Sequence, residues 1–350
     1  MPAKHLASAL LLTAALSACT PDNSTQNAAS GNGDKTGSVK LLNVSYDVAR
    51  DLYKDFNPLF IEEYKKQHNG ADITVQQSHG GSSKQALAVA NGLKADVVTM
   101  NQGSDIDLLV KKGLVKADWQ KAFPNNAVPF TSTTVFLVRK GNPKQIKDWG
   151  DLAKDNLKIV IANPKVTGNG RYTFLGAYGY GLKTNGNDDA KTREYVKKML
   201  SNVEVFENGG RAATTTFVQR QIGDVLVTFE NEARLAAKQF GEGQFEVVYP
   251  AYSVRMESPV AVVDSVVDKR GTREAATAYL KYLWSKEAQE LGASLYLRPA
   301  NPEVLAAHAD TLPPVETFRP TDVFGPWKEI MPKYFGDGGV FDQLMKSPAK

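Results

Sequence analysis

Four short turns hold the residues of this chain that could do chemistry. They are Asp47 at the end of Ser45-Tyr46-Asp47, Gly81-Ser82 inside His79-Gly80-Gly81-Ser82-Ser83, Thr167-Gly168-Asn169, and Gly209-Gly210. Each follows an apolar run with strand character and precedes a stretch with helical spacing. A strand that ends on a helix N-terminus presents unpaired backbone N–H groups and the positive end of a helix dipole. That combination suits a negative group, and glycine lets the backbone come close to it. An N–H donated to a charged group is worth about 1.5–3 kcal/mol, and a helix end adds about 0.3–1 kcal/mol. Neutral donors from several such turns could therefore hold a dianion without a counter-charge. One turn of this kind is ordinary in any α/β protein; four in one chain point to an anion site. A pocket without acceptors favours a fully ionised oxyanion over a protonated phosphate. Asp47, which also stands where a helix N-cap belongs, is the exception, because its carboxylate could accept a phosphate proton.

No catalytic set accompanies these turns. The histidines are His5, His68, His79 and His308, far apart and without the spacing of a metal motif such as HExxH. No GxSxG is present. GGSSKQ at 80–85 lacks the spacing of a phosphate loop, and His79 beside it reads as structural. Cys19 is the single cysteine, so no disulfide forms within one chain. The expectation is a binding protein with no enzyme activity, cofactor or metal.

The elements that must position the turns alternate. Leu41-Leu42-Asn43-Val44 reads as a buried strand, and Leu52, Phe56 and Phe60 line one face of the helix after it. Strands at 72–77 and 96–100 alternate with helices at 84–93 and 105–112, the second capped by Ser104. This rhythm implies a largely parallel sheet. The stretch 131–139 is long and half polar and reads as a connection into a second domain. There, strands at 157–162, 203–206 and 224–229 alternate with helices beginning near Arg171, at 189, at Arg211 and at 230. The stretch 259–264 would return the chain, and a single long helix follows over 273–291. The fold class is thus α/β with two lobes, one formed by 38–129 plus 262–312 and the other by 130–261, with 313–350 packing across the body. Two crossover segments create a cleft between the lobes, where ligands prefer to bind, and all four turns can reach it.

Composition agrees with an ordinary globular chain. Of 350 residues, 42% are apolar and 23% charged, and the net charge of +4 comes with no Lys/Arg cluster of the kind nucleic acid needs. Beyond the first residues no apolar run approaches the roughly 20 residues that span a bilayer. At the N-terminus, Leu16-Ser17-Ala18-Cys19 resembles the lipobox of bacterial lipoproteins. This implies a signal peptide over 1–18, export, and a lipid anchor on Cys19, followed by a polar tether over 19–37. A protein held this way would work in the periplasm or cell envelope beside a membrane, and the charge pattern argues against a nucleic-acid partner.

Six stretches carry a further resemblance: LLNVSYD at 41–47, QSHGGSSKQA at 77–86, LKADVVT at 93–99, FLVRKGNPKQIKDW at 136–149, ANPKVTGNGRY at 162–172 and IGDVL at 222–226. They are similar to the sulfate- and thiosulfate-binding proteins of ABC importers, over about 41–344. The resemblance implies a two-lobed periplasmic binding-protein fold of type II that closes on sulfate or thiosulfate and docks, as a monomer, to a membrane permease. By position it assigns backbone N–H donors to Asp47, Ser82, Gly168, Asn169 and Gly210, and a side-chain hydroxyl to Thr167. In the sulfate branch a tryptophan indole also donates, where this chain has Phe229, which has no donor. Losing that bond would cost about 1–3 kcal/mol. Phe229, the order Thr-Gly-Asn, and Gly-Gly-Arg at 209–211 are similar to the thiosulfate branch instead. Thiosulfate carries a sulfur, large and a poor acceptor, which a phenyl face suits, so both anions are expected ligands. The alternatives are another tetrahedral oxyanion, phosphate or molybdate, or an exported hydrolase.

Overall fold

The structure is a computed structural model that describes residues 38–240 and 243–346. Cys19, the leader over 1–18 and the tether over 19–37 lie outside the described residues, as do 347–350 at the end of the C-terminal segment.

The first half alternates β1 (Val39–Tyr46), α1 (Arg50–Gln67), β2 (Ile73–Gly80), α2 (Ser82–Ala90), β3 (Val97–Thr99) and α3 (Gly103–Lys111). The second half holds β4 (Phe130–Arg139), β5 (Ile159–Ala162), α4 (Gly168–Thr184), α5 (Asp189–Ser201), β6 (Val203–Glu207), α6 (Gly210–Val218), β7 (Val225–Phe229), α7 (Glu230–Gln239), β8 (Phe245–Val248) and β9 (Tyr252–Glu257). The chain then lays down β10 (Val260–Val262), α8 (Asp264–Arg270), α9 (Arg273–Tyr282), α10 (Lys286–Ser294), β11 (Arg298–Pro299) and β12 (Glu316–Phe318).

Two sheets result. In the first, of order β10-β3-β1-β2, the three leading strands are parallel and β10 runs against β3. The second has the order β12-β9-β4-β7-β5-β6, with β8 and β11 also paired to β4. In each sheet the parallel strands feed helices at the same end, so the strand-to-helix turns of one sheet gather together.

Burial follows the sequence periodicity. On α1 the face of Leu52, Phe56 and Phe60 is inward, and Phe56 and Phe60 meet the Tyr279 ring edge-on at 5.2 and 5.0 Å. Each phenyl removed from water contributes about 1.5–3 kcal/mol, which ties α1 to α9 over the first sheet.

Several boundaries differ from the sequence expectation. Asp47 does not cap α1: it begins a single 3₁₀ turn, Asp47–Ala49, and the helix proper starts at Arg50. Ser104 is not the cap of α3, which starts one residue earlier, and its hydroxyl accepts from Gln102 Nε2 at 2.6 Å. Helix α4 begins at Gly168, three residues before Arg171, because the Thr167 hydroxyl accepts the Gly170 N–H at 3.0 Å and caps it. The 131–139 stretch is more than a connection. It lies within β4, a strand inside the second sheet, buried along most of its length. Two of its bonds go to β9: the Thr133 hydroxyl donates to Val254 O at 3.0 Å, and Thr134 O accepts from Ser253 Oγ at 2.6 Å. The expected long helix over 273–291 breaks into α9 and α10, because Ser285 leaves the helix to cap the next one, accepting from Ala288 N.

The passages between the sheets are bonded to each other. β4 pairs with β9 at Thr131↔Glu257, and Ser258 N donates to Phe130 O at 3.1 Å. The Ser258 hydroxyl donates to Tyr46 Oη at 2.8 Å at the end of β1. Beyond β11 the chain packs Phe318 on Tyr252 (5.0 Å) and gathers Tyr334, Phe335 and Phe341 around Phe174 of α4.

Candidate functional site

The turns meet where the two sheets face each other. A Cβ on Gly81 would stand 3.6 Å from Val166 O and 3.8 Å from Asn208 O, so the β2–α2 turn rests on two turns of the second sheet. A Cβ on Gly168 would fall 1.9 Å from Asn101 Oδ1, so a side chain there would have to displace the Asn101 amide. One on Gly209 would lie 2.8 Å from Asp47 Oδ2. Asp47, Gly81, Ser82, Thr167, Gly168, Asn169, Gly209 and Gly210 therefore form one cluster.

Three helix N-termini aim into it. The first main-chain helical bonds come from Gln85, Arg171 and Ala213, which donate to Gly81, Thr167 and Gly209. The N–H groups before them, on 82–84, 168–170 and 210–212, have no carbonyl one turn back. Two of these are spent locally. Thr167 takes Gly170 N–H, and Asp47 Oδ2 takes Arg211 N–H from the opposite sheet at 3.1 Å. Among the rest are the N–H groups of Ser82, Gly168, Asn169 and Gly210, four of the residues the sequence singled out. The Thr167 hydroxyl also donates to Asn163 O at 2.9 Å, so in this arrangement its hydrogen goes to the turn and its oxygen to the cap.

Each nearby charge is compensated within the protein except one. Asp105, buried under α2, accepts from the hydroxyls of Ser82 (2.5 Å) and Ser83 (2.7 Å). Arg171 crosses from α4 to donate to Ser83 Oγ (2.5 Å) and Gln102 Oε1 (3.2 Å). Burial pushes the Asp105 carboxyl up, with Arg171 opposing, and burial pulls Arg171 down, with Asp105 opposing. Arg211 reaches Asp51 of α1 (2.5 Å) and Glu232 of α7 (2.7 Å). Burial lowers its affinity for the proton, but Glu232 and Asp51 outweigh burial and hold the guanidinium above its ordinary range. Asp47 is the exception. Burial raises its carboxyl, opposed by the N–H groups of Arg211 and Val48. It has no arginine or lysine side chain in hydrogen-bond contact among the described residues.

Phe229 ends β7, fully buried, with its ring edge-on to Tyr172 of α4 at 5.7 Å. The residue before it, Thr228, accepts from Asn169 Nδ2 at 3.0 Å, which links Phe229's strand to the cluster. His79 lies beside the β2–α2 turn with Nδ1 2.7 Å from Ser45 Oγ, and burial, then Arg50, drives its imidazole down to about 4.

Sequence reading missed Asn101, Thr228 and the two arginines. Asn101 was within reach, because Val97-Val98-Thr99 running into Gly103 is a fifth strand-to-helix turn. Thr228 was not, since nothing in a strand sequence tells which hydroxyl meets an amide from another element. No three His, Cys, Asp or Glu side chains among the described residues gather as a metal site.

The chain matches known proteins along most of its length. A family model described as bacterial extracellular solute-binding protein matches residues 45–293. The thiosulfate-binding protein of Pseudomonas aeruginosa is 59% identical over 305 residues, 87% of this chain and 91% of that protein. The sulfate-binding protein of Escherichia coli is 47% identical, over 88% and 93%. Among solved structures, the sulfate-binding protein SubI from Mycobacterium tuberculosis H37Rv superposes with a TM-score of 0.76 at 31% identity, covering 85% of this chain and 99% of that one.

Proposed function

This chain belongs to the bacterial extracellular solute-binding proteins, among the sulfate- and thiosulfate-binding members, and from that premise we propose that it captures sulfate and thiosulfate and delivers them to the permease of an ABC importer. The observation that carries the reading is the set of N–H groups on Ser82, Gly168, Asn169 and Gly210, drawn from both sheets and left over after Thr167 and Asp47 have taken theirs. Such a set needs no cation to hold a dianion, because the donors and helix ends supply the field. Asp47 contributes its own N–H, Thr167 sets the start of α4, and Phe229 supplies the apolar wall for the thiosulfate sulfur. The protein catalyses nothing in this reading. It is exported and anchored through a lipid on Cys19, and its lobes, 38–129 with 262–312 and 130–261, close on the anion as a monomer.

A second reading has one observation in its favour. Asp47 is an acceptor among donors, held with its carboxyl raised, which suits a protonated phosphate. Thermal melting separates the two. Ligand at a hundred times its Kd stabilises the folded state by about 2.7 kcal/mol, so sulfate and thiosulfate raise the melting temperature and phosphate leaves it unchanged. A rise with phosphate alone favours the second reading.

A further inference from the structure

We propose that the side-chain amide of Asn169 donates directly to the bound anion, in addition to the backbone N–H of the same residue. This rests on the anion-binding reading above and names a contact that reading does not require. Asn169 is the second residue of α4, and its side chain is only 2% exposed. Its Nδ2 donates to Thr228 Oγ1 at 3.0 Å, while its Oδ1 is buried with no hydrogen-bond partner. A buried amide oxygen left unsatisfied is costly. The amide also stands over the start of α6, since a Cβ on Gly210 would lie 3.0 Å from Nδ2 and 3.4 Å from Cγ. It therefore sits between the leftover N–H groups of α4 and those of α6.

The partner it has is one that works in both directions. A threonine hydroxyl can donate or accept, and the two ends of an amide have nearly the same shape. Turned by half a circle about Cβ–Cγ, Asn169 accepts the Thr228 O–H through Oδ1 and places its NH₂ where the unpartnered oxygen stands. The bond to Thr228 is kept, and the end of the amide away from Thr228 changes from an unpartnered acceptor to a donor. No other element has to move. Asn101 has the same features, 2% exposed with an unpartnered Oδ1, but no hydroxyl holds it in either orientation, so the inference is drawn for Asn169 alone.

The test is calorimetric titration of thiosulfate and sulfate into the full protein and its Asn169→Asp and Asn169→Gly variants. The aspartate keeps the shape and can accept the Thr228 hydroxyl, but it puts negative charge where the NH₂ should be. The glycine keeps the backbone N–H and removes the amide, and it carries the test should the aspartate variant not fold. A donor to a charged ligand is worth roughly ten- to a hundredfold in affinity. The expected result is a loss of that size for Asn169→Gly and a larger one for Asn169→Asp, each read on protein shown to be folded by its melting without anion. Wild-type affinity in either folded variant overturns the inference and leaves Asn169 as a structural partner of Thr228, with the anion site intact. Failure of the wild-type protein to bind either anion overturns the anion-binding reading and this inference together.

Discussion

Single residues at this site are restricted by what stands across the cleft. A Cβ on Gly168 would displace the Asn101 amide, and one on Gly209 would press on the Asp47 carboxylate. The glycines were legible in the sequence as turn residues; the side chains that crowd them were not, because they lie far away in sequence, on the other sheet. His79 shows the same gap between type and environment. Its imidazole is driven down to about 4 by burial and by Arg50, against about 6.5 in an unfolded chain. Between those values the unfolded state binds the proton and the folded state does not, so stability is lost as pH falls through that window. His79→Gln removes this component. Melting temperatures of the two proteins from pH 7 down to 4.5 are expected to fall less steeply for the variant; parallel curves would show that His79 does not titrate in this way.

At the scale of elements, α6 is the part that joins the halves. Its first turn is capped by Asp47 from the β1–α1 turn, and its Arg211 binds Asp51 of α1 and Glu232 of α7. Glu232 is almost fully buried and its carboxyl is raised by burial, with Arg211 as the opposing charge. Removing one partner of a buried pair leaves the other uncompensated, which costs about 3–5 kcal/mol. Arg211→Met is expected to lose about 3 kcal/mol in urea unfolding, at the low end because Arg211 is partly exposed. Adding Glu232→Gln in the same chain is expected to return most of the loss. No recovery would mean that Arg211 matters through Asp51 instead. Sequence periodicity identified the helices and strands that feed the turns, since their apolar faces repeat at regular spacing. It misjudged 131–139, read as a half-polar connection, where Ser132, Thr133 and Thr134 are buried inside the second sheet and the Thr133 hydroxyl bonds β9. It ran α9 and α10 together for a related reason, because only Ser285's capping bond marks the break.

For the whole molecule, the α/β class was legible from alternation, whereas the return of β11 and β12 to the second sheet after β10 was not. The convergence of the turns was an inference from fold class that the contacts between Gly81 and Thr167, Asn101 and Gly168, and Asp47 and Arg211 now describe in detail. What the sequence could not convey is that the nearby charges other than Asp47 are compensated within the protein, which in the proposed reading leaves neutral N–H groups to meet the ligand. That is the central claim. It is tested most directly by calorimetric titration of the protein, freed of bound anion by unfolding and refolding, with sulfate, thiosulfate and phosphate at pH 6 and pH 8. Sulfate and thiosulfate keep their charge across that range, whereas phosphate changes protonation near neutrality. The account predicts tight binding of sulfate and thiosulfate with nearly the same affinity at both pH values, and little binding of phosphate. Binding of phosphate alone, with an affinity that moves with pH, would contradict it and make Asp47 an acceptor for the ligand's proton.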